Sequence, residues 1–304
     1  MQVTFLGTGS GTPSAQRNVS AIIVRLGSRF CLFDCGEGTQ HQLKKAHISL
    51  NKIDSIMVSH LHGDHIFGLP GLLGTMSLLQ RHEALNVVGP VGIKAYLEHA
   101  LAASYTHLQY NLHIHELSPL TQVSLVHRIH RNKISSISIK HRVPAFGYRL
   151  EMAVRPGRFH ADRADQLGVP NNHLRQQLTQ GESIMLANGE TISPEQVMDL
   201  SRPGQVFVIC TDTEYCPQSV SLADRADLLV HEATYAEKDR ALATRGGHST
   251  SHDAAKVAKA ATVKQLALTH FSPRYEDMES VLTGVSAIFS NVIVAEDFLQ
   301  VSIH

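Results

Sequence analysis

Within the stretch Ser59-His60-Leu61-His62-Gly63-Asp64-His65, three histidines and an aspartate fall inside six residues. An apolar run rich in strand formers, residues 53–58, comes directly before it. A strand there delivers the cluster at its carboxyl end, where open α/β sheets place their chemistry. In extended backbone, residues two apart point the same way, so His60 and His62 can grip one ion. Gly63 permits a turn that swings Asp64 and His65 toward a second position. The donors are nitrogen and oxygen without a thiol, a set that suits Zn, Mn or Fe and leaves positions open to water. A chain with 20 histidines will contain some pairs by chance. Four ligand-competent side chains at one strand end are a different matter.

The same pattern recurs along the chain. Residues 137–140 lead to His141, 208–211 to Asp212, 228–230 to His231-Glu232, and 266–269 to His270. A lone histidine after a strand is ordinarily a loop residue. Repeated strand ends of this kind, in a chain with βα rhythm, predict one rim shared by several strands. Asp34 ends another strand, where it either orients a ligating histidine or simply forms a turn. The glycine-rich loop 7–13 lacks the Gly-Lys-Ser/Thr ending of a phosphate loop and reads as a turn.

Composition narrows the classes. The chain has 304 residues, 43% hydrophobic and 18% charged, with a formal net charge of zero. No basic excess announces a nucleic-acid partner, so any such contact must be local. The local candidate is 128–163, with nine Lys or Arg against Glu151 and Asp162. No apolar run is long enough for a membrane span, and no signal peptide is visible. Cys31, Cys35, Cys210 and Cys216 fit no zinc-ribbon spacing and no disulfide scaffold, which points to a reducing, cytoplasmic setting. Residues 155–181 are polar, with few large apolar side chains, and read as an excursion from the core.

These residues resemble a known family. His60-x-His62-x-Asp64-His65 is similar to the signature of the metallo-β-lactamase fold. Together with Arg17-Asn18-Val19-Ser20, the block from Phe33 to Gln40, His231-Glu232-Ala233-Thr234 and His248-Ser249-Thr250, it resembles the ribonuclease Z family of tRNA 3′-processing endonucleases. The resemblance runs along essentially the whole chain. It implies an αββα sandwich as a single domain over 1–304, with a protruding flexible arm at 155–181 that grips tRNA. It implies two Zn(2+) per chain, His60, His62 and His141 on one, Asp64, His65 and His270 on the other, and Asp212 bridging. It makes His231 a structural neighbour, His248 a proton donor, Glu232 the group that orients it, and Asp64 a ligand that also holds the attacking hydroxide's proton. Arg155, Arg158, Arg163, Arg175 and Arg274 are the expected substrate contacts, precursor tRNA the substrate and a homodimer the assembly. The arm tip of many relatives carries a Gly-Pro pair, where this chain has Val169-Pro170-Asn171-Asn172-His173. Rival readings keep the metals and change the chemistry: a hydrolase of small phosphodiesters or thioesters, a di-iron redox protein, or a non-catalytic RNA binder. No flavin domain follows, and every expected ligand is present.

Overall fold

Short apolar runs bounded by turn formers set the strand pattern of the computed structural model, which describes residues 1–154 and 156–303. The strands β1 (Gln2–Gly7), β2 (Ala21–Leu26) and β3 (Arg29–Phe33) pair antiparallel. Leu26 lies opposite Arg29 across a Gly27-Ser28 turn, where Gly27 has a φ of 66°. Next come β4 (Ile53–Met57), β5 (Leu85–Pro90) and β6 (Leu112–Leu117), added in parallel with helical crossovers. A meander of β7 (Ser124–Ile129), β8 (Asn132–Ile139) and β9 (Ala145–Glu151) begins a second sheet. After the short pair β10 (Ile184–Met185) and β11 (Thr191–Ile192), the second sheet resumes. Its remaining strands are β12 (Val206–Cys210), β13 (Leu228–Glu232), β14 (Gln265–Thr269) and β15 (Val292–Val294), parallel to one another. Finally β16 (Gln300–Ser302) returns to the first sheet beside β1. Each sheet has seven strands.

The sheets face each other through aromatic side chains. The Phe33 ring lies 5.3 Å from Phe207 and 6.1 Å from Tyr148, centroid to centroid, and the Tyr148 hydroxyl donates to the Val58 carbonyl at 2.7 Å. On its other side the first sheet packs the helices Leu69–Leu78 and Ile93–Ala103 through Leu72, Leu73, Met76, Ile93 and Leu97. The second packs Pro217–Ala223 and Ser251–Ala260 through Leu222, Ala254, Val257 and Ala258. The order of layers is αββα. Among the described residues no helix is long and apolar enough to cross a membrane.

The helix Ser251–Ala260 is capped by Thr250. Thr250 Oγ1 accepts from the Asp253 N–H, and the Asp253 carboxylate accepts from the Thr250 N–H. Before β15 come two single helical turns, Glu279–Leu282 and Val285–Ile288, separated at Gly284, whose φ of 77° ends a helix at little cost.

The chain divides into two compact units, one formed by Met1–Glu151 with Gln205–His304, the other by Met152–Gly204. The excursion therefore continues well past the expected end at 181. Its extra length supplies apolar surface: Ile184, Ile192 and Val197 join Ala164, Val169 and Leu178 in a small buried cluster. Val169, in the place expected for an arm tip, is part of that core and 1% exposed. The ends of the unit approach so closely that only glycine fits. A Cβ on Gly204 would fall 1.7 Å from the Met152 carbonyl oxygen, and one on Gly157 1.8 Å from that of Asp199.

Candidate metal centre

The expected rim exists. His60 follows β4, and His62, Asp64 and His65 lie on the turn and short helix Gly63–Ile66 after it. His141 follows β8, Asp212 follows β12 and His270 follows β14. Ligand-capable atoms of His60, His62, His141 and Asp212 lie within 4.8 Å of one another, as do those of Asp64, His65 and His270. Asp212, a member of the first set, also faces the second. Its Oδ2 is 3.6 Å from His60 Nε2 and 3.9 Å from His141 Nε2, while its Oδ1 is 3.2 Å from His65 Nε2 and 3.1 Å from His270 Nε2.

Neighbouring groups fix how the rings point. Nδ1 of His65 lies 2.8 Å from Asp34 Oδ2, that of His141 2.7 Å from the Gly247 carbonyl, and that of His270 2.9 Å from Thr234 Oγ1. His60 Nδ1 meets Ser59 Oγ at 3.0 Å. Each of these contacts turns Nε2 inward. His62 instead presents Nδ1, 2.9 Å from His60 Nε2. Asp34 thus orients a candidate ligand and turns the chain as well: its φ is 57°, and its carboxylate also accepts from the Ser59 N–H at 2.7 Å. His270 and Asp212 likewise have positive φ, 59° and 25°. Non-glycine residues in this region are strained, and three of the ten such residues described stand at the rim. The glycine-rich loop after β1 contributes a backbone donor, the Gly11 N–H to Asp64 Oδ2 at 2.8 Å.

The electrostatics fit a cation. Burial pushes His60, His62 and His141 below the ordinary imidazole value, so these rings are neutral, as ligands must be. Burial works against the charge on Asp212 and Asp64, yet the surrounding imidazoles hold both carboxyls well below their usual range. For His65, burial opposes the charge but Asp212 and Asp34 outweigh it and draw a proton onto the ring. These buried carboxylates call for positive charge at the centre. Asp212 Oδ1, despite its two nitrogen neighbours, is a buried acceptor without a hydrogen-bond partner. An inward-facing set of imidazole nitrogens and carboxylate oxygens with an unsatisfied acceptor at its middle fits divalent ions.

A second shell of chemistry borders the first. His248 Nδ1 lies 2.9 Å from Glu232 Oε1 and 3.8 Å from Asp212 Oδ2. The closer contact occupies Nδ1. Burial opposes a charge on His248, but the Glu232 carboxylate raises it to about 9. Glu232 is fully buried and also accepts from the Thr213 N–H at 2.8 Å. His231 points elsewhere: its Nδ1 meets the Glu232 carbonyl at 2.8 Å, and burial keeps it neutral. A cleft of about 390 Å³, lined by His62, Asp64, Tyr235, His248 and His270 among others, gives access.

The expected substrate contacts scatter. The Arg274 guanidinium stacks on the Tyr235 ring at 5.2 Å, beside the cleft. Arg158 and Arg163 are exposed in the Met152–Gly204 unit. Arg175 differs from expectation: it pairs with Asp165 and donates to the Val169 carbonyl, and its side chain is 13% exposed. It ties its own unit together. Arg155 lies outside the described residues.

Comparison with known proteins agrees with this geometry. A profile for the anti-Pycsar protein Apyc1 matches residues 1–145. The metallo-β-lactamase fold protein YhfI of Bacillus subtilis superposes with a TM-score of 0.69 at 19% identity, covering 99% of this chain and 98% of that one, which identifies the metallo-β-lactamase fold. The short form of human tRNase Z matches with a TM-score of 0.73 and 31% identity over all of both chains. Ribonuclease Z of Synechocystis sp. is 44% identical over 100% of this chain and 94% of its own length. That of Acaryochloris marina is 42% identical over 99% and 96%. Identity at this level, sustained end to end, marks common descent as well as common architecture, and the chain belongs to the ribonuclease Z family.

Proposed function

We propose that this protein is a zinc-dependent endoribonuclease that removes the 3′ trailer of precursor tRNA in the cytoplasm, leaving a 3′-OH on the tRNA and a 5′-phosphate on the trailer. The observation that carries the reading is the union, in one cleft of a ribonuclease Z family member, of a two-sided donor set and a carboxylate-held histidine. His60, His62 and His141 would hold one zinc, Asp64, His65 and His270 the other, with an oxygen of Asp212 toward each. Bound there, the ions would supply Lewis-acid charge to polarise the phosphodiester and the attacking water.

The chain's own groups do the rest. The ribose 3′ oxygen is a poor leaving group unless protonated. Glu232 holds His248 by Nδ1 and keeps it charged, so Nε2 carries the proton to that oxygen. Asp64, fixed by the Gly11 N–H, orients the attacking water by accepting a hydrogen bond from its proton. Arg274, laid flat on Tyr235, offers its guanidinium to a phosphate beside the cut. In the Met152–Gly204 unit, Arg158 and Arg163 would meet phosphates of the tRNA body, away from the scissile bond. The enzyme works as a homodimer in this reading, which is supported by the large apolar side chains left exposed on and beside the helix Leu69–Leu78: Phe67, Leu78 and Tyr105, at 63%, 86% and 86%.

End-labelled precursor tRNA with mapped product ends tests the activity, alongside metal analysis of the purified protein. The expected result is one cut with those termini and about two zinc per chain. A zinc-loaded protein that leaves precursor tRNA intact while hydrolysing a small phosphodiester would overturn the substrate assignment.

A further inference from the structure

The chain is neutral overall, yet between Glu116 and Glu151 it contains no acidic residue at all. Arg128, Arg131, Lys133, Lys140, Arg142 and Arg149 all fall in that interval, on the β7–β8–β9 meander and its loops. Their placement is uneven. Lys140 and Arg142 flank His141 at the metal-centre end of β8, where Lys140 is neutralised by Glu214 at 2.8 Å. Arg128, Arg131 and Lys133 surround the turn at the other end of β8, about 26 Å away for an eight-residue strand.

That turn is built against ordinary preference in two ways. Arg128 is registered directly opposite Lys133, a like-charge cross-strand pair that destabilises a hairpin. At its apex His130 takes a φ of 54°, a conformation tight hairpins usually assign to Asn, Asp or Gly. Arg128, His130, Arg131 and Lys133 are all exposed. None of the three permanent cations forms an ion pair among the described residues; Glu151, across the sheet from Lys133, is held by Arg149 instead. Repulsion and backbone strain concentrated at one exposed tip are the local conflicts expected where a surface serves binding.

We propose that the β7–β8 turn is a second RNA contact, in which Arg128, Arg131 and Lys133 receive phosphates of the helical part of the substrate. The proposal rests on the tRNA reading above. Strand β8 is its ruler: the strand that delivers His141 to the centre carries the cations at its far end, so grip and cut are held at a fixed separation by paired backbone. The contact reads charge and shape, not sequence, because an A-form helix offers its phosphates and hides its major groove.

The test compares wild type with Arg128→Gln/Arg131→Gln/Lys133→Gln in the full zinc-loaded chain, measuring precursor-tRNA KM across a salt series. The variant is expected to raise KM at low salt and to lower the slope of log KM against log salt by about one for each cation removed. Arg128→Lys/Arg131→Lys should keep the wild-type slope. Removing the like-charge pair should leave thermal stability equal or higher, and turnover of a small phosphodiester should not change. An unaltered KM and slope in the triple variant, with wild type cleaving normally, overturns this contact alone; aggregation of that variant would then make the cations guards of the β7 edge. A wild-type protein that neither binds nor cuts precursor tRNA removes the tRNA reading, and this proposal with it.

Discussion

The rim of the sandwich and the inserted Met152–Gly204 unit are both polar, and they use polar residues in opposite ways. At the rim, His60, His65, Asp212 and Glu232 are buried and each is held by named neighbours, at a cost in backbone strain at Asp34, Asp212 and His270. In the insert a few apolar side chains are buried, and most charged ones face water. A charge taken out of water must be satisfied, so it acts at short range with fixed geometry. A charge left in water acts at longer range and is screened by salt. On the proposed function, the two regions would divide the work into making the bond reactive and holding the molecule that contains it.

The largest test of that division is Asp212→Ala. One carboxylate faces both donor sets, so metal content should fall for both sites and turnover by about 10⁴-fold or more, on precursor tRNA and small phosphodiesters alike. Full zinc occupancy in this variant would break the bridging assignment. Next comes His248→Ala, expected to keep its metals and its tRNA affinity while kcat falls by about 10²–10⁴-fold. Loss of zinc there would make His248 a ligand. Replacing 153–203 by a short Gly-Ser link should raise KM for precursor tRNA by roughly 10–100-fold, with the effect fading at high salt, and leave small-phosphodiester turnover intact. Equal losses on both substrates would show that the insert supports the fold and would erase the contrast. Glu232→Gln should slow kcat by about 10–100-fold at unchanged KM, as expected for a positioning partner.

The smallest effect lies outside both regions. Burial opposes the charge on Asp253, yet Arg240 and the Thr250 cap hold its carboxyl below the ordinary value. A depressed carboxyl stabilises the fold above its unfolded pKa and loses that contribution as pH falls through the folded value. Asp253→Asn should therefore cost about 1 kcal/mol near pH 7. Thermal unfolding of variant and wild type should draw together as pH falls below roughly 4 and converge only once pH has passed the depressed carboxyl value.

The same contrast explains what could be read from the sequence. His60, His62, Asp64 and His65 were legible because their spacing is local. His141, Asp212 and His270 were legible because each follows an apolar strand of a sheet whose carboxyl ends must converge. Asp34 stayed ambiguous, since holding His65 and forming a turn use the same residue type, and it does both. Thr234, the Gly247 carbonyl and the Gly11 N–H left no trace, because hydroxyls and backbone groups take on such roles only when tertiary packing brings them near. The insert was cut short at 181 because Ile184, Ile192 and Val197 sit in segments too brief to show periodicity. Arg175 was misread because composition cannot distinguish a cation that braces its own unit from one that faces outward.

The ligand-competent residues also have an order in time. His60 to His65 come from the first sheet, early in the chain, whereas Asp212 and His270 wait for parallel strands of the second. The first donor set needs Asp212, which follows β12, and the second cannot close until β14 has been synthesised and has docked beside β13. Contacts spanning 205 residues between His65 and His270 are among the last a growing chain can make. On the proposed function, a chain made only as far as β13 carries the first donor set alone, and the ability to cut would wait for His270.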